Sequence, residues 1–246
     1  MTKAAKTTGV VGDGIAAENA NWRFAGEVAQ KFDDHVRKSV PFYEEGHDLV
    51  CQLSDFFVMP GSVVYEIGCS TGVLTTGLAR HNRHKPSARF IGLDIEADMI
   101  AKAEERRQAN PDLNLTFVTD DALQAALEPA DFIVCYYTVQ FVRPGERQRL
   151  IDKIYGALRW GGGLAMFEKV RGPDARFQDM LSRLYDDFKL RQGYTPDEIV
   201  AKARSLKGIL EPFSTQGNLD LLKRAGFVDI MTVMRYLCFE GFLAIK

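Results

Sequence analysis

The sequence predicts an α/β fold in which a parallel sheet is completed by an antiparallel hairpin. Three observations lead there. Short β-rich runs alternate with helical stretches along most of the chain, an order that favours a parallel sheet with helices on its faces. One run, Val63-Val64-Tyr65-Glu66-Ile67, opens into the turn Gly68-Cys69-Ser70-Thr71-Gly72. Near the end, Val228 to Arg235 and Leu237 to Ile245 are two β-rich runs with almost no connection between them, which forces antiparallel pairing.

The elements follow in order. Trp22 to Pro60 carries Phe24, Val28, Phe32 and Val36 near helical spacing and is expected to fold over a ligand. The first sheet strand is Val63 to Ile67, whose β-branched and aromatic residues suit a buried strand, and Val73 to Arg80 reads as the helix after it. Further strands are expected at Arg89 to Asp94, Leu115 to Val118, Phe132 to Cys135 and Gly163 to Glu168, with a helix over Asp98 to Arg107. Between Arg171 and Asn218, Phe177, Met180, Leu181, Leu184, Tyr185 and Phe188 form an apolar helical stripe. A stripe of this kind serves as core, dimer interface or lid. Lys223-Arg224-Ala225-Gly226 closes the last helix on glycine.

The chain's 246 residues, 46% hydrophobic and 26% charged, fit one domain with a complete core. Its expected parts are an N-terminal tail and cap over 1–60 and a cofactor-binding core over 61–170. A lid, substrate or dimer insertion occupies 171–218, and the C-terminal helix end and hairpin 219–246. A frayed first ~15 residues is expected from their small, polar character. The formal charge of −2 argues against a nucleic-acid surface. No apolar run approaches the ~20 residues of a membrane span. Cys51, Cys69, Cys135 and Cys238 are scattered without metal-binding spacing, which suggests a reducing, cytoplasmic setting and no metal.

The glycine turn is not of the pyrophosphate type, which needs three glycines in the spacing GxGxxG. Instead Glu66 stands where it can accept from an ammonium group, so an amino-acid moiety fits better than a diphosphate. Asp94 lies 26 positions after Gly68, near the ~20-residue offset at which nucleotide folds place an acid on the ribose hydroxyls. Asp121 follows the third strand and can accept from an adenine amine. Each acid could instead cap a helix, Asp94 above all.

With these motifs the chain resembles the Rossmann-like class I S-adenosylmethionine-dependent methyltransferases. More closely, it resembles the carboxy-S-adenosylmethionine synthases of the tRNA wobble-uridine modification pathway. The matching strings include Trp22-x-Phe24, Arg37-Lys38-Ser39-Val40-Pro41-x-Tyr43, Tyr65 to Ser70, Thr138-Val139-Gln140-Phe141, Glu168-Lys169, Asp187-Phe188-Lys189 and Gly193-Tyr194. The resemblance implies cofactor contacts at Tyr43, Gly68, Cys69, Ser70, Asp94, Ile95, Asp121 and Ala122, and a homodimer. Glu66, Gly72, Met99 and Tyr136 are expected beside them. The cofactor is then S-adenosyl-L-methionine, with carboxy-S-adenosyl-L-methionine as the alternative.

The chain departs from this pattern at two places. An arginine from a Lys-Arg pair holds the extra carboxylate in the resembling synthases, whereas here Lys202-Ala203 stands with Arg204 one place later. One residue on a helix rotates a side chain by roughly 100°. Their asparagine ahead of Thr138 is here Tyr136, followed by Tyr137. Both departures favour ordinary methyl transfer to a small acceptor. A synthase using prephenate is the alternative, and a non-catalytic nucleotide-binding protein ranks third.

Methyl transfer asks mainly for alignment, with a base where the acceptor must ionise. Candidate bases are His35, His47, Tyr43 and Glu168. Tyr136, Tyr137, Phe141, Tyr185 and Tyr194 could line an aromatic pocket, with Gln140 beside the substrate. Arg37, Lys38, Arg171 and Arg204 could hold an acceptor carboxylate.

Overall fold

A computed structural model describes residues 8–246. It opens with a small antiparallel hairpin, β1 (Thr8–Val10) and β2 (Ala16–Glu18), followed by α1 (Glu27–Ser39) and α2 (Tyr43–Ser54). The α/β repeat then runs β3 (Val63–Ile67), α3 (Val73–His81), β4 (Arg89–Asp94), α4 (Ala97–Gln108), β5 (Leu115–Thr119) and β6 (Ala130–Tyr136). Short 3-10 turns at Val139–Phe141 and Pro144–Glu146 lead into α5 (Arg147–Ala157) and β7 (Leu158–Lys169). The insertion folds as α6 (Ala175–Arg191) and α7 (Pro196–Ser205), and α8 (Thr215–Ala225), β8 (Asp229–Tyr236) and β9 (Phe239–Ile245) finish the chain.

The main sheet has seven strands in the order β5-β4-β3-β6-β7-β9-β8. Strands β3 to β7 pair in parallel, while β9 inserts antiparallel between β7 and β8. Strand order reverses between β3 and β6, the place where an open α/β sheet leaves a crevice at its carboxyl edge. Each of the five residues of β3 is buried, as expected for a strand covered on both faces. One core layer packs Leu74, Leu78, Phe90, Phe132 and Phe167 beneath α2 and α3, and the other packs Tyr65, Ile133, Leu150, Ile154 and Phe242 beneath α5 and α8.

Local chemistry sets the helix ends. Asp174 caps α6 by accepting from Phe177 N at 3.0 Å. Thr195 and Glu198 form a reciprocal capping box on α7, with Pro196 in its first turn. Gly226 ends α8 at φ 118°, the conformation that glycine tolerates best.

Two expectations change. The first seven residues of the tail expected to fray lie outside the described residues. From Thr8 onward the backbone forms the β1–β2 hairpin, whose loop buries Val11 and Ile15 against Trp22 and Val28. Those apolar residues anchor a segment whose composition reads as polar. The strand expected from Gly163 begins earlier, at Leu158, through an irregular pairing with Ala130.

Candidate functional site

A cavity of about 1580 Å³ opens at the carboxyl ends of the parallel strands. The turns after β3, β4, β5, β6 and β7 form its floor, and α1, the start of α2, α6 and α7 cover it. The β3–α3 turn is shaped by crowding: Gly68 has φ +73°, and a Cβ there would collide with the Thr138 side chain. Gly72, at φ +75°, would place a Cβ 2.6 Å from the Phe117 ring. Cys69 and Ser70 line the cavity between these glycines. Ser70 holds a left-handed φ of 50°.

Asp94 locks this turn to the tip of β4. One carboxylate oxygen accepts from Ser70 N at 2.8 Å and the other from Glu96 N at 2.9 Å. The alternative role of helix cap is corrected, because the residue at the N-cap of α4 is Glu96. Glu66 is fully buried in the cavity wall, where Thr75 Oγ1 donates to it. Burial pushes its carboxyl up to about 8. Ile95, Met99, Asp121 and Ala122 line the neighbouring wall. Helix α1 is tied over the turn by Asp33, which accepts from Thr71 Oγ1 at 2.6 Å and pairs with Arg106.

The other end of the cavity is aromatic. Tyr43 stacks on Tyr137 at 6.4 Å between centroids and meets Tyr136 edge-on at 5.2 Å. The Tyr136 hydroxyl donates to Tyr43 O at 2.7 Å, in the space left by Gly46. Tyr185 donates to Ser39 O at 2.8 Å, and the Tyr194 hydroxyl sits 3.0 Å from Ser39 Oγ and 3.2 Å from His35 Nδ1. Three cavity-lining groups have a buried polar atom without a hydrogen-bond partner among the described residues, Tyr137 at its hydroxyl and His35 and His47 each at Nε2. Burial drives the Tyr43 phenol well above its usual range, with the Glu66 carboxylate adding to the effect. The same desolvation lowers His35 to about 4 and His47 to about 3, so both imidazoles are neutral at pH 7.

The cations differ from the expected set. Arg37 is exposed and pairs with Asp34 and Glu44 outside the cavity. Arg204 is exposed and absent from the cavity wall, because the turn of α7 directs Lys202 and Ala203 there instead. Neither arginine therefore faces the cavity of its own chain, which departs from the expectation for both. Lys38 pairs with Asp13, while Arg171 lines the cavity and donates to Pro212 O at 3.0 Å. Lys202 and Lys169 line the cavity with no carboxylate at ion-pair distance among the described residues; their ammonium groups lie over the rings of Trp22 at 2.7 Å and Tyr185 at 4.2 Å. Neither lysine stood among the sequence candidates, although Lys202 lay inside the departing Lys202-Ala203 string.

Glu168 is corrected as a catalytic base. It is buried outside the cavity wall and accepts from Val139 N at 2.9 Å, so it holds the turn after β6. Gln140 does line the cavity, but its amide is occupied: Nε2 donates to Tyr137 O at 3.1 Å and Oε1 accepts from Lys169 N at 2.9 Å.

A methyltransferase domain model matches residues 64–162. The chain is 35% identical over 226 residues to the carboxy-S-adenosyl-L-methionine synthase of Staphylococcus epidermidis, covering 92% of this chain and 97% of that protein. It is 36% identical over 225 residues to the synthase of a Nitratiruptor species, covering 92% and 93%. Among solved structures, a magnesium protoporphyrin IX methyltransferase from Synechocystis with bound SAH superposes with a TM-score of 0.64 at 16% identity, covering 91% of this chain and 96% of that one. A SAM-dependent methyltransferase from Aquifex aeolicus gives 0.60 at 17% identity, covering 91% and 99%. These structures share the fold. The sequence relatives carry the assignment: the chain belongs to the carboxy-S-adenosyl-L-methionine synthase family, within the S-adenosylmethionine-dependent methyltransferases.

Proposed function

We propose that the protein methylates a small acceptor bearing a carboxylate or an aromatic ring. The observation that carries this reading is the pairing of Lys202 and Lys169 with aromatic rings in the cavity, with no carboxylate at ion-pair distance among the described residues. A cavity of about 1580 Å³ exceeds the ~300–1,000 Å³ of an ordinary ligand pocket and leaves room for an acceptor beside a nucleoside.

S-Adenosylmethionine fits the other end. Glu66 is proposed to take its ammonium, Asp94 the ribose hydroxyls and Asp121 the adenine amine. Gly68, Cys69, Ser70, Gly72, Ile95, Met99 and Ala122 would shape the walls. Tyr43 and Tyr137 would offer ring faces to a positive group. When bound, the cofactor supplies an electrophilic methyl group on a sulfonium. The chain's residues then orient the acceptor, exclude water and remove a proton where the acceptor needs it. A small-molecule substrate, a cytoplasmic setting and a homodimer complete the proposal. The exposed Phe177, Met180 and Leu184 on α6 support the second copy.

The names of the relatives support a second reading, a carboxy-S-adenosyl-L-methionine synthase, for which prephenate as substrate and a place in tRNA wobble-uridine modification are part of the proposal. Ala203 in the cavity wall speaks against it, since no guanidinium stands at that position. Mass spectrometry of the small molecule released from the purified protein separates the two. S-Adenosylmethionine or its demethylated product favours the methyltransferase. A mass heavier by one carboxyl group establishes the synthase.

A further inference from the structure

The β1–β2 hairpin brings one acid to His35, whose ring lines the cavity. Asp13 lies in its loop, at φ 52° between Gly12 and Gly14. A Cβ at Gly12 would collide with the Tyr194 ring, so the hairpin loop packs on Tyr194 only because a glycine stands there. Asp13 Oδ2 lies 2.9 Å from His35 Nδ1, and its other oxygen pairs with Lys38.

An ionised carboxylate only accepts hydrogen bonds, so His35 must present a proton on Nδ1. Its Nε2 then carries a bare lone pair, and that atom is buried without a partner among the described residues. The His35 ring lines the cavity, stacked at 5.7 Å on the Trp22 ring that also receives Lys202. A histidine serving packing alone would leave a buried polar atom unpaired at a free-energy cost with nothing gained.

We propose that Asp13 is a positioning residue, supplied by the N-terminal hairpin, that sets His35 as the proton acceptor for an ionisable hydroxyl on the substrate, with Lys202 holding the resulting anion. This rests on the methyltransferase reading and specifies its substrate class. In the step, the acceptor O–H bond breaks and its electron pair stays on oxygen. The proton joins the Nε2 lone pair to give an imidazolium, which passes it to solvent after turnover. The charged and titratable groups around the imidazole are Asp13 from the hairpin, Lys38 from α1, and Tyr194, Glu198 and Lys202 from the α7 side. Burial and Lys202 keep the ring neutral and ready to accept.

The test uses the full chain labelled with 15N-histidine, saturated with S-adenosylhomocysteine. Only four histidines contribute signals, and His35→Gln assigns the one of interest. Long-range proton–nitrogen spectra are expected to show His35 protonated on Nδ1, with Asp13→Asn moving the proton wholly or partly to Nε2 and Asp13→Glu retaining the native form. Protonation on Nε2 in the native chain overturns the proposal, as does an Asp13→Asn spectrum identical to the native one. Should Asp13→Asn fail to fold, the native spectrum and Asp13→Glu still decide. As a chromophoric probe, 4-nitrophenol is expected to bind as its phenolate and to ionise at least about tenfold more readily than when free, about one pH unit. His35→Gln and Lys202→Met should abolish that shift; a shift that persists in both, or none in the native protein, overturns the proposal. Failure of S-adenosylhomocysteine to bind, with the histidine tautomer as expected, would count against the methyltransferase reading alone.

Discussion

The Lys202 ammonium lies 2.7 Å from the centre of the Trp22 ring, and both residues line the cavity at the carboxyl edge of the sheet. Burial lowers the lysine pKa well below its usual value. The ring face offsets part of that cost, a contact worth about 0.5–2 kcal/mol. Lys202→Met is therefore expected to weaken binding of a small carboxylate such as benzoate about tenfold, the size of a lost charged hydrogen bond. Thermal stability should be unchanged or higher, since a desolvated charge is removed. Arg204→Ala should leave both unchanged. Calorimetry with benzoate and thermal unfolding read the two effects, and a Lys202→Met protein that binds benzoate normally would exclude the lysine from the anion site.

Asp94 joins the turn and the strand tip through two backbone N–H donors. Asp94→Ala is expected to weaken S-adenosylmethionine binding by ~1–3 kcal/mol through lost hydrogen bonds. Unchanged affinity in titration calorimetry would remove Asp94 from the cofactor site.

Burial raises the Glu66 carboxyl from 4.5 to about 8, so with no cation beside it the group is protonated at pH 7. A carboxyl raised in the folded state stabilises the fold fully below about 4.5, and that contribution is lost as pH climbs through about 8. The native chain should therefore lose more thermal stability between pH 6 and pH 9 than Glu66→Gln does. If an ammonium binds there, Glu66 ionises and the complex releases a proton. Calorimetry at pH 7 in buffers of different ionisation enthalpy should detect that proton in the native chain and not in Glu66→Gln.

Tyr136 occupies the space beside Gly46, where a Cβ would overlap the phenol hydroxyl. Gly46→Ala is expected to cost about 1–3 kcal/mol by overpacking. Tyr136→Phe should recover part of this in the double variant, because removing the hydroxyl relieves the closest contact. Denaturant unfolding of the four proteins in the cycle measures the coupling, and strict additivity would exclude a direct clash.

Helix α6 exposes Phe177, Met180 and Leu184 on one face. An apolar face of this kind suits a second copy of the chain. Leu184→Glu is expected to shift a dimer toward monomer in sedimentation velocity. A native chain that sediments as a monomer at all concentrations would retire the dimer.

Much of the fold was legible because its signals are local. Five β-rich strands, a glycine turn and a hairpin with almost no loop each follow from residues adjacent in the chain. The acids at the strand ends were legible for the same reason, since parallel strands must end at one edge. The acceptor side was not. Whether Arg204 or Lys202 faces the cavity depends on how α7 is rotated against the hairpin and Trp22, and the resemblance to the synthases breaks at this very position, Ala203. Glu168 looked like a base because it ends a strand at the right edge, yet its register turns it toward Val139. Asp13 was lost in a tail whose composition reads as disordered; it is placed only because Val11 and Ile15 find apolar partners far along the chain. Sequence alone thus determined the sheet, its crevice and the carboxylates around it, through short-range periodicity and turn chemistry. Tertiary packing decided which cations and which histidine atom face that crevice, because those depend on the docking of segments separated by more than a hundred residues.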